Sequence, residues 1–69
     1  MALSSKDVER ILEKYGFVLS RQKGSHQQFV GMIHGQKRRV TVMARQKDFA
    51  PGTLKSMIRQ SGLSGEEFK

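Results

Sequence analysis

The apolar spacing of this chain changes period twice, and that limits the folds open to it more than any other feature. Val8, Ile11, Leu12 and Tyr15 fall at i, i+3, i+4 and i+7, one stripe of an amphipathic helix. Ser4 or Ser5 stands where a helix N-cap belongs, Asp7 follows in the first turn, and Gly16 offers a left-handed stop. Lys6/Glu9, Asp7/Arg10 and Arg10/Glu13 pair opposite charges on the wet side. From Phe17 the period shortens to two. Residues 17–22 alternate, with Phe17 and Leu19 on one face, and Lys23-Gly24-Ser25 reads as a turn. A second strand covers residues 26–33 with Phe29 as its core anchor, and His34-Gly35-Gln36-Lys37 is a hairpin turn. A third strand over 38–43 points Val40 and Val42 inward and Arg39 and Thr41 outward. Residues 44–50 form a basic loop. The helical period returns after Pro51, which suits a first helical position, with Leu54, Met57 and Ile58 as the buried stripe and Gly62 as the end. Leu63 and Phe68 are expected to fold back over the core, with Ser64 capping a last short turn.

This order, helix, three antiparallel strands, helix, predicts an α+β two-layer sandwich, α-β-β-β-α, with both helices on one sheet face and the other face left to solvent. Sixty-nine residues make one domain, 1–69, because a second core would have almost nothing to bury. A chain this size hides only about 60% of its unfolded surface, so its stability margin is thin. With no cysteine, neither a disulfide nor a thiolate zinc site can staple it. The N-terminus lacks the apolar run of a signal peptide and no stretch matches a membrane span, so a cytoplasmic location with no membrane contact is expected.

Charge is segregated along the chain. Residues 1–20 carry Lys6, Arg10 and Lys14 against Asp7, Glu9 and Glu13, a net of zero. Residues 21–59 carry nine cations (Arg21, Lys23, Lys37, Arg38, Arg39, Arg45, Lys47, Lys55, Arg59) against Asp48 alone, a net of +8. The tail, Lys69 against Glu66 and Glu67, contributes −1. A concentrated positive field attracts phosphates and speeds encounter with them, while the plainer alternative is a solvated basic face that aids solubility. The segregation favours nucleic acid as a partner.

Within the basic stretch lies Gly24-Ser25-His26. An imidazole, with an ordinary pKa near 6.5, acts as base or acid at cellular pH. RNA carries its own nucleophile, the 2′-hydroxyl, so a small protein can cleave it by aligning that oxygen, taking its proton and neutralising the crowded phosphate. Lys23, Arg39, Arg45 and Lys47 are the candidate phosphate clamps, and the Gly24-Ser25 turn offers backbone N–H groups and a hydroxyl. From the residues alone, the leading reading of His26 is a polar strand residue contacting backbone or water, with catalysis and a non-catalytic RNA contact as the alternatives. Gly24 and Ser25 are by default plain turn formers. His34, followed by Gly35, reads as a turn residue. Two histidines eight apart with no carboxylate cluster make no metal ligand set, and no cofactor motif appears. Phe17 and Phe29 suit the core better than base stacking.

The chain closely resembles the HicA toxins, also described as the YcfA-like family, small ribonucleases of toxin–antitoxin pairs. The likeness runs through Leu12-Glu13-Lys14-Tyr15-Gly16-Phe17, then Arg21-Gln22-Lys23-Gly24-Ser25-His26 with Phe29. It continues in Arg39-Val40-Thr41-Val42, Pro51-Gly52-Thr53-Leu54, Ile58-Arg59-Gln60-Ser61-Gly62-Leu63 and Glu67-Phe68. The resemblance implies a fold like the double-stranded-RNA-binding domain, metal-independent cleavage of messenger RNA with His26 as the catalytic residue, and a HicB-type antitoxin as partner. Many relatives follow the third strand with Val-Pro-x-His, where this chain has Val42-Met43-Ala44-Arg45. Arg45 can replace the charge of that second histidine but not its proton transfer, so the chemistry expected here rests on His26 alone.

A non-catalytic duplex-RNA-binding module is the alternative with the same element order. Such modules carry a lysine cluster at the start of their final helix to grip phosphates across the major groove. Here that position reads Pro51-Gly52-Thr53-Leu54-Lys55, with one lysine.

Overall fold

The computed structural model describes residues 3–68. Helix α1 spans Ser5–Lys14. Ser4 caps it, its hydroxyl accepting from the Asp7 N–H at 3.2 Å while the Asp7 carboxylate accepts from the Ser4 N–H at 2.9 Å. The Ser4 backbone N–H, seconded by the Ser4 hydroxyl, holds the Asp7 carboxyl below the usual carboxylate range. The helix ends in a Schellman motif: the Gly16 N–H reaches the Glu13 carbonyl at 3.1 Å and the Phe17 N–H reaches the Leu12 carbonyl at 2.9 Å. Gly16, at φ +90, supplies the conformation this needs. The cap delivers Phe17 to the core, where it is buried with Leu12 and Val8.

Strands β1 (Val18–Lys23), β2 (His26–Ile33) and β3 (Gln36–Met43) form one antiparallel sheet in the order β1-β2-β3. Both hairpin loops have two residues. Gly24 has φ +61, and His34 and Gly35 have φ +52 and +77, the positive values that primed turns require to match the twist of their strands. Both turns are therefore tighter than expected: Lys23 closes β1 rather than opening the first turn, and β3 begins at Gln36 rather than Arg38. Helix α2 (Pro51–Ser61) starts at Pro51 and stops at left-handed Gly62, and a short 3-10 helix, Gly65–Phe68, follows. Ser64 meets Glu67 at its start, and Phe68 is buried.

The core gathers Val8 and Leu12 of α1, Phe29 and Ile33 of β2, Val40 and Val42 of β3, and Met57 of α2 with Phe17 and Phe68. Both helices thus lie on one sheet face and the opposite face is open, the expected α+β layering. Phe49 and Leu3 also belong to the core, although the loop over 44–50 had offered only charge. Pairing of the loop with the N-terminal segment explains it: Phe49 N–H to Leu3 O at 3.1 Å, Ser5 N–H to Gln46 O at 2.8 Å, and Gln46 N–H to Ser5 Oγ at 2.7 Å.

Strand β1 departs from simple alternation. Leu19 pairs with Phe29 and Arg21 with Gln28, so Ser20 is an extra residue in a bulge. Leu19, on the same face as Phe17, is nonetheless 47% exposed, because α1 and α2 pack over β3 and leave this edge uncovered. All six residues of β1 are exposed. No helix among the described residues is long and apolar enough to cross a membrane.

Candidate nucleic-acid interface

The uncovered sheet face takes its composition from the strand register. Residues directly opposite one another in an antiparallel pair share a face. Lys23 lies opposite His26, which lies opposite Met43. Two residues along, Arg21 lies opposite Gln28, which lies opposite Thr41. Phe29, next to Gln28 in sequence, is buried, so this set faces away from the helices. Arg21, Lys23, His26 and Gln28 together line a shallow depression of about 470 Å³. That is room enough for a group the size of one nucleotide.

His26 opens β2 directly after the Gly24-Ser25 turn, and its side chain is exposed. Among the described residues nothing hydrogen-bonds to the ring, so both nitrogens are available to a ligand. The Ala44 N–H donates to the Ser25 carbonyl at 2.7 Å, tying the end of β3 to the β1–β2 turn. Arg45 follows at φ +61, a left-handed conformation uncommon for arginine, and so begins the loop at the same end of the sheet as His26. The face therefore brings together Lys23, Gly24, Ser25 and His26, with Arg45 beside them.

Arg39 and Lys47 stand further off. Arg39 shares the open face but pairs with Val30, four residues from Met43, about 13 Å along the strand. Lys47 lies in the exposed bend beyond Gln46, whose backbone is held by Ser5 at the start of α1. His34 sits past the far end of the eight-residue β2, about 26 Å from His26, in the turn role expected of it. Arg38 faces the helices instead: its Nη2 donates to Gln36 Oε1 at 3.1 Å, and its Nε is buried against Gly62.

Sequence reasoning missed Arg21 and Gln28. Gln28 was within reach, since it lies two residues from His26 on a strand and must share its face. Arg21 was not, because strict alternation from Phe17 puts position 21 on the helix side. The bulge reverses that. Beyond this cationic end, the same face carries an apolar patch, with Val18 63% and Met32 60% exposed around Val30. No group of three or more His, Asp or Glu side chains stands ready to hold a metal ion among the described residues.

No curated protein matches the chain. A family model described as the HicA toxin of bacterial toxin–antitoxin systems matches residues 5–63.

Proposed function

This chain belongs to the HicA toxin family of bacterial toxin–antitoxin systems, and we propose that it is toxic because it cuts messenger RNA, with His26 as the catalytic residue and no metal ion. The observation that carries this reading is an exposed imidazole set among cations on a sheet face that no helix covers.

In the proposed reaction the neutral His26 ring accepts the proton of a ribose 2′-hydroxyl. The 2′ oxygen forms a bond to phosphorus while the bond from phosphorus to the 5′ oxygen breaks. The departing 5′ oxygen keeps the electron pair and takes a proton from water. The products are a 2′,3′-cyclic phosphate and a 5′-hydroxyl. Because the nucleophile belongs to the substrate, the protein supplies only in-line placement, a base and positive charge. Lys23 and the N–H groups and hydroxyl of Gly24 and Ser25 hold phosphate oxygens at the site. Arg45, Arg39 and Lys47 track the phosphates to either side.

The test is cleavage of a single-stranded RNA by purified protein in EDTA, beside an oligonucleotide of the same sequence made of 2′-deoxyribose. RNA should yield fragments ending in 2′,3′-cyclic phosphate by mass spectrometry, and the deoxy strand should remain whole. Equal cutting of both strands, or of neither, would sink the reading. Tight, salt-sensitive duplex binding with no product would point instead to the binding module.

Membership of a toxin–antitoxin family implies a cognate antitoxin. We infer one of the HicB type, presenting carboxylates to the outward cations of residues 39–47. Arg39→Glu with Arg45→Glu should weaken the complex at least about tenfold at low salt, read by titration calorimetry, since like charges then meet across the interface. Unchanged affinity at low salt would place the antitoxin elsewhere. Arg38, turned toward Gly62, takes no part.

A further inference from the structure

Two demands on β1 disagree by one residue. The Schellman cap of α1 sends Phe17 into the core, where its ring lies against Gly31 of β2. The two-residue Gly24-Ser25 turn sets Lys23 opposite His26. Six positions separate Phe17 from Lys23, so an unbroken strand would turn both to the helix side, yet His26 lies on the open side. The bulge at Ser20 absorbs the mismatch. Its result is that Arg21 and Lys23 share a face with His26 rather than with Phe17.

We propose that Arg21 is a second catalytic residue of this site, its guanidinium gripping the scissile phosphate and meeting the negative charge that grows on the non-bridging oxygens as His26 takes the 2′-hydroxyl proton. The proposal rests on the ribonuclease reading and leaves its bond changes as given above. Arg21 neither gains nor loses a proton.

The placement suits that role. Arg21 is the diagonal neighbour of His26, a relation that sets two positions about 7–8 Å apart with their Cβ atoms somewhat closer, so a phosphate fits between guanidinium and imidazole. Lys23, directly opposite the ring, is nearer and leaves less room. The planar guanidinium reaches two phosphate oxygens at once, which an ammonium cannot. Two cations beside a histidine on one face repel one another, and no carboxylate among the described residues neutralises Arg21. A bound phosphate turns that repulsion into attraction.

The experiment moves the charge across the sheet without changing its amount. Arg21→Gln combined with Gln22→Arg preserves composition and net charge but places the cation on the opposite face, because Gln22 pairs with Gln27. Gln22→Arg alone is the control for losing the exposed hydrogen bond from Gln22 Nε2 to the Gly24 carbonyl, 3.0 Å. Every residue of β1 is exposed, so melting curves should match that of the unaltered protein. Arg21→Gln and the transposed pair should each lower kcat roughly 10- to 100-fold, toward the range for losing one charge-stabilising donor, with KM changed less than about threefold. Gln22→Arg alone should cut normally. A transposed protein with kcat within about twofold of the unaltered one overturns the proposal, as does a loss confined to KM, which would make Arg21 only a binding residue. Failure of the unaltered protein to cut RNA at all would overturn the ribonuclease reading and this proposal together, whereas failure confined to the Arg21 variants leaves the role of His26 standing.

Discussion

Replacing His26 by alanine is expected to slow RNA cleavage by roughly 10²- to 10⁴-fold, the usual contribution of a positioned acid or base, and to leave the melting curve where it was. Both halves follow from where the residue sits. The side chain is exposed, hydrogen-bonds to no described residue and is outside the core cluster, so its loss creates no cavity and orphans no partner. Glutamine at the same position separates the two things an imidazole offers. It can still donate and accept hydrogen bonds but cannot take up a proton near neutrality. His26→Gln should therefore keep RNA affinity within a few-fold and lose cleavage as fully as alanine does. Expressed in a bacterium without its antitoxin, the unaltered chain should arrest growth and both variants should permit it. Cleavage that survives in His26→Gln would mean that the histidine only holds the RNA and that the base lies elsewhere.

Much of this site could be read from residues in order, and the part that could not has a definite cause. A histidine directly after a Gly-Ser pair and before an apolar run reads as a strand start, so the places of Gly24, Ser25 and His26 were legible from turn chemistry and period. Lys23, by contrast, reads as a turn residue but closes β1 opposite His26. The nearness of Arg45 follows from β3 returning antiparallel and ending where β2 begins. Arg21 was hidden because parity along a strand holds only while no residue is inserted. The bulge is written in no single residue; it follows from a helix cap and a hairpin that count differently. Arg39 illustrates a second limit. Period two places it on the correct face, but only the register shows that it pairs with Val30, far from Met43 and His26.

The fold itself was mostly legible where local chemistry and burial agree. Ser4 and Asp7 cap α1, the stripe of Val8 and Leu12 is buried, and His34-Gly35 has the two positive φ values of a primed turn. Where tertiary packing decides, the sequence was silent. Phe49 sits among charged residues, and its burial comes from backbone bonds that lash the loop to Leu3 and Ser5. Ser61 is fully buried in α2 yet breaks no rule, since its hydroxyl donates to the Ile58 carbonyl at 2.7 Å and accepts from the Leu63 N–H at 3.0 Å. The same hydroxyl therefore helps to shape the turn after Gly62.

Gly31 should prove the least replaceable glycine of the sheet, for a reason of space rather than backbone freedom. A Cβ built on it would come within 2.8 to 3.0 Å of three carbons of the Phe17 ring, which is 1% exposed and has nowhere to retreat. Gly31→Ala should gain about 0.5–1 kcal/mol from the stiffer unfolded chain and lose about 1–3 kcal/mol to overpacking, for a net cost centred on about 1 kcal/mol and at most about 2.5 kcal/mol. In a domain of this size each kcal/mol lowers Tm by about 4–8 °C, so the loss should be plain in a thermal melt. Phe17→Leu alone should also destabilise, by vacating ring volume in the core. Combined, the two changes should cost less than their sum, because the smaller side chain at 17 makes room for the methyl group at 31. A coupling of about 1 kcal/mol or more in that double-mutant cycle is the expected signature. Strict additivity would show that the ring and the glycine do not press on one another, and with it would go the argument that Phe17, anchored through Gly31, forces the bulge that turns Arg21 toward His26.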